Sequence, residues 1–436
     1  MDGFDFAGFA SLERRLQGAA SPGSRPGLSR LARLCRFLGH PERSFRAVHV
    51  VGTNGKGSTA ATLASILSCR FSAVGLYTSP HLECLGERIR FNDKQVPLAL
   101  WEEGFRAILD AMGADEVLAS EPPTLFELLT ALSFWLFRRL RCEIAVFEAG
   151  MGGRLDATNL LPCVVLTLIT PIAEDHKEYL GSTLAEIAAE KFAVLRPGVP
   201  VLFAGGDEFL ERLFMKRARE TGALANLLSD WSLSDVTVSS EGTSFFLALT
   251  EGEPKRFRTS LLGRHQAINA AMALCGSALI DCGHRGDGTL LQEGLDKTTW
   301  PGRLELVRED PVVLFDGGHN PHGLEAALNA VEEIWPNLKN RAVLFATMAD
   351  KDYRTELLLF KDRGWSLVFT EVPEVPRSET VGKLRAVVDE VGLTDVTYES
   401  RLDVALDRVC VGRDLALCCG SLYLIGALKS LLRSRR

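Results

Sequence analysis

A lysine set among three glycines is where this chain could do chemistry. Residues 48–58 read VHVVGTNGKGS: an apolar run of Ala47, Val48, Val50 and Val51 feeds Gly52, Thr53, Asn54, Gly55, Lys56, Gly57 and Ser58. A helical pattern follows over residues 59–68. Strand, glycine-rich turn and helix N-terminus together make a cradle for phosphate, because backbone N–H groups converge there and the helix dipole favours negative charge. Lys56 would reach the outer phosphates, and the hydroxyl of Ser58 or Thr59 would face a metal ion. The usual pattern has Ser or Thr directly after the lysine, whereas Gly57 intervenes here. The reading is a nucleoside-triphosphate site; the alternative is a glycine turn that holds nothing.

Ligands of open α/β sheets sit outside the carboxyl ends of the strands, so polar groups at those ends carry weight. Glu148 directly follows the apolar run 144–147 and precedes the flexible stretch Ala149-Gly150-Met151-Gly152-Gly153. A carboxylate so placed suits magnesium shared between protein and phosphate, or an ordinary acid bonded to its own loop. Asp175 and His176 come shortly after the run 164–170; histidine is a less common magnesium ligand, so ion chemistry alone does not choose it. On a helix over 184–195, Leu184, Ile187, Ala188, Lys191 and Leu195 share one face. Lys191 thus falls in an apolar stripe, where an unpaired ammonium costs several kcal/mol, of the order found for buried charges. It must snorkel to water, meet an anion, or be chemically modified. Asp316-Gly317-Gly318-His319-Asn320-Pro321 follows another strand-like run, 312–315. No Ser/His/Asp order or reactive-cysteine context stands out, so covalent catalysis is not favoured.

The elements that must position these groups follow from the texture of the chain. Its 436 residues exceed one ordinary core, and 46% hydrophobic with 24% charged residues is a soluble composition. A net charge of −7 argues against a nucleic-acid surface. The N-terminus has no apolar core long enough for a signal peptide, and no run of about eighteen apolar residues suggests a membrane span. The ten cysteines include no CxxC pair, so buried, reduced thiols in a cytoplasmic protein are expected, Cys142, Cys163 and Cys275 among them. Strand-like runs at 47–51, 144–147, 164–170 and 200–203 alternate with helical segments, which predicts an α/β fold around a mostly parallel sheet. A polar β-like patch over 231–250 reads as a hairpin forming an antiparallel edge on that sheet. A hinge is expected at 300–303, between domains 1–297 and 298–436. The second has strands at 312–315, 342–345, 367–369 and 415–418 with helices at 323–334 and 381–391. It lacks GxGxxG after its first strand, so no dinucleotide is indicated.

Taken together, these segments closely resemble the folylpolyglutamate synthase/dihydrofolate synthase family, relatives of the muramyl ligases. The resemblance runs from residue 31 to residue 423 and rests on short segments in fixed order. They are GTNGKGST (52–59), TSPHL with ERI (78–82, 87–89), GGRLDATN (152–159), DH with LG (175–176, 180–181), EK (190–191), HQxxNA (265–270), PGRLE (301–305) and DGGHNP (316–321). The resemblance implies a P-loop central ATPase domain of the Mur ligase type and a C-terminal Rossmann-like domain. It implies that Thr53, Asn54, Gly55, Lys56, Gly57 and Ser58 hold ATP phosphates, with Asn269 near adenine, Arg303 on the phosphates and Asp316 on the ribose. His319 would lie by the reacting phosphate or the incoming glutamate. Ser79, Glu148 and His176 would hold Mg²⁺, and Lys191, carbamylated, a second Mg²⁺. Thr124, Phe126, Leu155, Asp156 and Ala157 would line the pterin pocket. The implied activity joins L-glutamate to dihydropteroate and to tetrahydrofolate polyglutamates through an acyl phosphate. A monofunctional polyglutamate synthase, a muramyl-type ligase and a nucleotide-binding regulator that lost catalysis are the rivals. A monomer with small-molecule partners only, no nucleic acid and no membrane, is expected. Phe192-Ala193 stands where the family often has Ala-Gly, Gly318 where it commonly has Ala, and 347–352 follows the pattern loosely.

Overall fold

The computed structural model describes residues 5–23, 25–249, 253–280 and 288–435. They form two compact units. One comprises residues 1–235, 245–258 and 268–298; the other comprises 236–244, 259–267 and 299–436.

The first unit is built on strands β1 (Arg46–Val51), β2 (Val74–Tyr77), β3 (Ile89–Phe91), β4 (Lys94–Gln95), β5 (Ile144–Glu148), β6 (Val164–Ile169), β7 (Pro200–Phe203) and β8 (Leu224–Leu227). Their order across the sheet is β4-β3-β2-β5-β1-β6-β7-β8. β5 and almost all of β1 are buried on both faces, as β-branched and aromatic runs in a parallel sheet must be. β1 lies between β5 and β6 and is parallel to both. The chain therefore leaves β1 towards one side of the sheet and later fills the other, which opens a crevice at the carboxyl end of β1. Helices Phe6–Ala19, Leu98–Gly113 and Leu125–Arg139 bury Phe9, Trp101, Phe134 and Phe137 in one core with Phe45, Tyr77 and Phe147. A second core joins Val51 and Ile169 to helices Leu184–Phe192 and Glu208–Thr221. Phe192 belongs there: its ring lies 5.4 Å from Phe203 and 5.6 Å from Phe214. The departure from the family pattern at this position is a matter of core packing.

The β-like patch does form strands, β9 (Ser234–Ser239), β10 (Gly242–Leu247) and β11 (Lys255–Thr259), but not where the sequence pattern put them. They make a separate three-stranded sheet, and the antiparallel edge of the large sheet is β3–β4. Hairpin alternation specifies pairing with chain neighbours and says nothing about docking against a distant sheet.

The second unit carries β12 (Glu305–Glu309), β13 (Val312–Phe315), β14 (Arg341–Phe345), β15 (Ser366–Phe369), β16 (Val396–Tyr398) and β17 (Leu415–Cys419), ordered β12-β13-β17-β14-β15-β16. β12 is the antiparallel member and the rest are parallel. Its first helix, Pro321–Ile334, starts two residues before the sequence pattern suggested, because Asn320 caps it and Pro321 fits the first turn. Cys142 and Cys275 are buried, and burial pushes the Cys142 thiol up to about 12; Cys163, expected to be buried, is exposed. Among the described residues no helix is long and apolar enough to cross a membrane.

Candidate active site

At the carboxyl end of β1 the chain turns through Gly52–Gly55 into the helix Lys56–Ser68, whose N-cap is Gly55 at φ 83° with no side-chain cap. A Cβ at Gly55 would stand 2.2 Å from Asn269 Oδ1, so only glycine fits both the left-handed backbone and the close approach. Not all of the loop faces outward. The N–H groups of Thr53 and Asn54 donate to the Pro171 carbonyl at 3.0 and 3.3 Å, and Thr53 Oγ1 donates to the Ala173 carbonyl. These bonds stitch the turn to the chain after β6. The first-turn N–H groups of Lys56, Gly57 and Ser58 therefore carry the anion-binding capacity. Lys56 Nζ folds back onto the Thr53 carbonyl at 2.9 Å. Of the two hydroxyls offered for a metal, that of Thr59 turns to Asn269 Oδ1 at 3.4 Å, which leaves Ser58. Asn269, from the helix Arg264–Ile280, is thus brought to the loop, 210 residues away in sequence from Thr59.

Glu148 ends β5, the register neighbour of β1. Its Oε2 accepts the Ser79 N–H at 3.1 Å, so the expected ligands Ser79 and Glu148 do meet. His176 follows β6 in a left-handed conformation (φ 52°), its Nε2 3.9 Å from an Asp175 oxygen, and its ring is partly exposed. A carboxylate beside a hydroxyl residue is a hard oxygen donor set, and it fits Mg²⁺.

Lys191 does not snorkel. It is buried, and Nζ donates to the Gly52 carbonyl at 2.7 Å, at the root of the phosphate loop. Burial above all, with Lys56 nearby, pulls its pKa down to about 7; Asp175 and Asp156 oppose this more weakly. Much of the side chain is then a neutral amine at neutral pH, the form that can take up CO₂.

The loop after Glu148 carries three of the expected pterin residues, Leu155, Asp156 and Ala157, and the helix Leu125–Arg139 with its cap supplies Phe126 and Thr124. Phe126 packs on that loop so closely that a Cβ at Gly150 would lie 2.6 Å from the ring, whose centroid is 6.0 Å from that of Tyr77. Thr124 caps the helix Leu125–Arg139 in a capping box with Glu127. Leu155 is half-buried. Ala157 is part of the core under the sheet, so its methyl serves packing. Asp156 is buried and accepts from the backbone of Met151 and Thr158, both at 2.9 Å, and from Thr158 Oγ1 at 2.5 Å. Burial raises its pKa, and those donors hold the rise in check. Sequence reading missed how this loop is anchored. Arg154 pairs with Glu190, next to Lys191, at 2.9 Å, and Arg196 donates to Asn159 Oδ1 at 2.9 Å. The partners are distant in sequence, and nothing local marks them.

In the second unit Arg303, Asp316 and His319 gather at the carboxyl end of β13. Asp316 Oδ2 accepts the Leu304 N–H at 2.9 Å and Oδ1 the Gly318 N–H at 2.7 Å. Burial raises the Asp316 pKa, opposed first by Arg303. His319 Nδ1 lies 2.9 Å from the Gly317 carbonyl, so that nitrogen carries the proton.

Comparison with known proteins places the chain. Residues 50–276 match the Mur ligase middle domain family, and residues 302–422 match the family described as Mur ligase, glutamate ligase domain. The chain is 30% identical over 436 residues to the dihydrofolate synthase/folylpolyglutamate synthase of Bacillus subtilis, covering 98% of this chain and 100% of that one. It superimposes on the Mycobacterium tuberculosis folylpolyglutamate synthase complexed with ADP and AMPPCP with a TM-score of 0.89 at 28% identity, over 98% of both chains. The structure of Escherichia coli FolC in complex with DHPP and ADP gives 0.84 at 28%, again over 98% of both.

Proposed function

Because this chain belongs to the dihydrofolate synthase/folylpolyglutamate synthase family of Mur ligases, we propose that it uses ATP to join L-glutamate to dihydropteroate and to tetrahydrofolate polyglutamates. The observation that carries this reading is the meeting, at the carboxyl ends of paired strands β1 and β5, of an open helix N-terminus with the Glu148-to-Asp156 segment.

The pterin substrate's carboxylate oxygen attacks the γ-phosphorus of ATP; the bond to the bridging oxygen breaks and ADP leaves. The amine of glutamate then attacks the acyl carbon, loses a proton and expels inorganic phosphate. Both reactants are anions, so electrostatic stabilisation is the main requirement. The N–H groups of Lys56, Gly57 and Ser58, with the Lys56 ammonium, take the phosphates, and Thr53, Asn54 and Gly55 shape the turn. Asn269 serves the adenine, Arg303 the phosphates, Asp316 the ribose and His319 the reacting phosphate or glutamate. Thr124, Phe126, Leu155 and Asp156, with the backbone at Ala157, hold the pterin. Ser79, Glu148 and His176 would hold Mg²⁺, and Lys191 as its carbamate a second ion; the metal supplies charge neutralisation on the phosphates. The adjacency of Ser79 and Glu148 supports the first site, and the lowered pKa of Lys191 supports the carbamate. No protein nucleophile is needed. We assign the protein to the cytoplasm, as a monomer.

Amide formation from ATP, Mg²⁺ and glutamate, with dihydropteroate and tetrahydrofolate supplied in parallel, tests this. Product with both pterins is expected. Product with tetrahydrofolate alone makes the enzyme monofunctional, and UDP-sugar-dependent ADP release with neither pterin overturns the reading in favour of a muramyl-type ligase.

A further inference from the structure

Past the exposed Arg46 at its start, β1 is buried, and its one polar residue there is His49, in its middle. The imidazole is fully buried, and burial holds its pKa well below the usual histidine value, so it is neutral. Its Nε2 lies 2.8 Å from Thr158 Oγ1, 109 residues away in sequence. The Thr158 hydroxyl has already committed its proton to Asp156 Oδ1 at 2.5 Å. A hydroxyl has one proton to give and can accept in return, so the hydrogen in the His49 contact must sit on Nε2. Nδ1 is then a bare acceptor, and it has no hydrogen-bond partner among the described residues. An unpaired acceptor is the more tolerable of the two orphans. The bonds thus run one way, from His49 to Thr158 to Asp156.

We propose that His49 is a positioning residue for the pterin: through Thr158 it fixes the Asp156 carboxylate in the orientation that receives the substrate. This rests on the assignment of Asp156 to the pterin made above. The device has a physical logic. Asp156 stands in a loop beside glycines 150, 152 and 153, and the backbone N–H groups of Met151 and Thr158 that hold its carboxylate belong to the same loop. His49 is anchored in the centre of the sheet, in register with Phe147 of β5 and Thr167 of β6. The relay lends the loop the rigidity of the strand. Its hydrogen bonds, His49 to Thr158 and Thr158 to Asp156, involve no residue of the phosphate turn or of the Ser79–Glu148 pair, so its loss is expected to act on pterin binding far more than on ATP binding.

Steady-state ADP release with dihydropteroate and ATP varied in turn tests the assignment on the full chain. His49→Leu removes the donor; the KM for dihydropteroate is expected to rise about five- to tenfold, the cost of one buried hydrogen bond, while the KM for ATP stays within about twofold. His49→Gln, whose amide can still donate to Thr158, is expected to recover most of the loss. Thr158→Val cuts the same relay one link further on, gives the same split, and answers the question if His49→Leu does not fold. Equal rises in both KM values, an unchanged pterin KM in His49→Leu or Thr158→Val, or a glutamine variant no better than leucine overturns the assignment. If the wild type ligates neither pterin, the proposed function falls and this assignment with it. An active wild type with an indifferent relay removes this assignment alone.

Discussion

Two loops of this molecule look alike on paper and are built for opposite purposes. Each leaves the carboxyl end of a buried parallel strand, β1 or β13, and each leads within a few residues into a helix, Lys56–Ser68 or Pro321–Ile334. The first helix begins at a glycine that offers no side-chain cap. The second begins at Asn320, whose Oδ1 takes the Gly323 N–H at 2.9 Å, and its N1 residue is proline, which has no N–H. Asp316 in the second loop likewise fills both oxygens from its own neighbourhood. The first loop therefore keeps donors in reserve for an anion, and the second spends them on its own rigidity. What the second presents is side-chain chemistry on a fixed frame: His319 from the loop itself, with Arg303 packed against Gly317 from the turn before β12. A helix N-terminus is an anion site only to the extent that the protein has not already satisfied it.

The comparison can be broken most directly at the first loop's cation. Lys56→Ala should lower turnover by about 10²–10³-fold, the range for loss of one transition-state electrostatic partner, with thermal unfolding nearly unchanged. Turnover within a few-fold of wild type would remove Lys56 from the mechanism.

Lys191, under the same loop, comes next. Its folded pKa of about 7 lies below the unfolded value of 10.5. Between those values the unfolded chain binds more protons, so the wild type should gain stability as pH rises from 7 towards 10.5. In bicarbonate-free buffer, Lys191→Met should lack that slope. Its advantage at pH 6–7, on the order of a few kcal/mol less the cost of orphaning the Gly52 carbonyl, should shrink with rising pH. Parallel urea unfolding curves across this range would contradict the burial argument. The same variant should be inactive as a ligase.

Gly55→Ala forces a Cβ against Asn269 in a left-handed backbone; a loss of about 1–3 kcal/mol is expected, with a raised KM for ATP. At the second loop, Asn320→Ala removes the cap and should cost only about 1 kcal/mol, read by denaturant unfolding. A cost larger at Asn320 than at Gly55 would reverse the contrast between the two loops.

Much of this was legible in the chain. The run 47–51 followed by a glycine turn specified β1 and its loop, because β-branched runs and glycines act over a few residues. The apolar stripe read over 184–195 put Lys191 on an apolar face, with snorkelling, an anion partner or modification open; the helix itself ends at Phe192, with Ala193 as its C-cap. The sequence did not place the 231–250 strands, for which local alternation is silent on docking. It also did not show that the Thr53 and Asn54 N–H groups are used up by Pro171, nor separate Ser58 from Thr59.

The sequence by itself determined which residue types stand at the strand ends, and through them the phosphate cradle and the family. Tertiary structure alone decided the partners: Asn269 at Gly55, Glu148 at Ser79, Arg154 at Glu190, and His49 reaching Asp156 through Thr158. Composition and periodicity act along the chain. A hydrogen bond depends on where two distant atoms end up, and that is set when the strands take their order in the sheet.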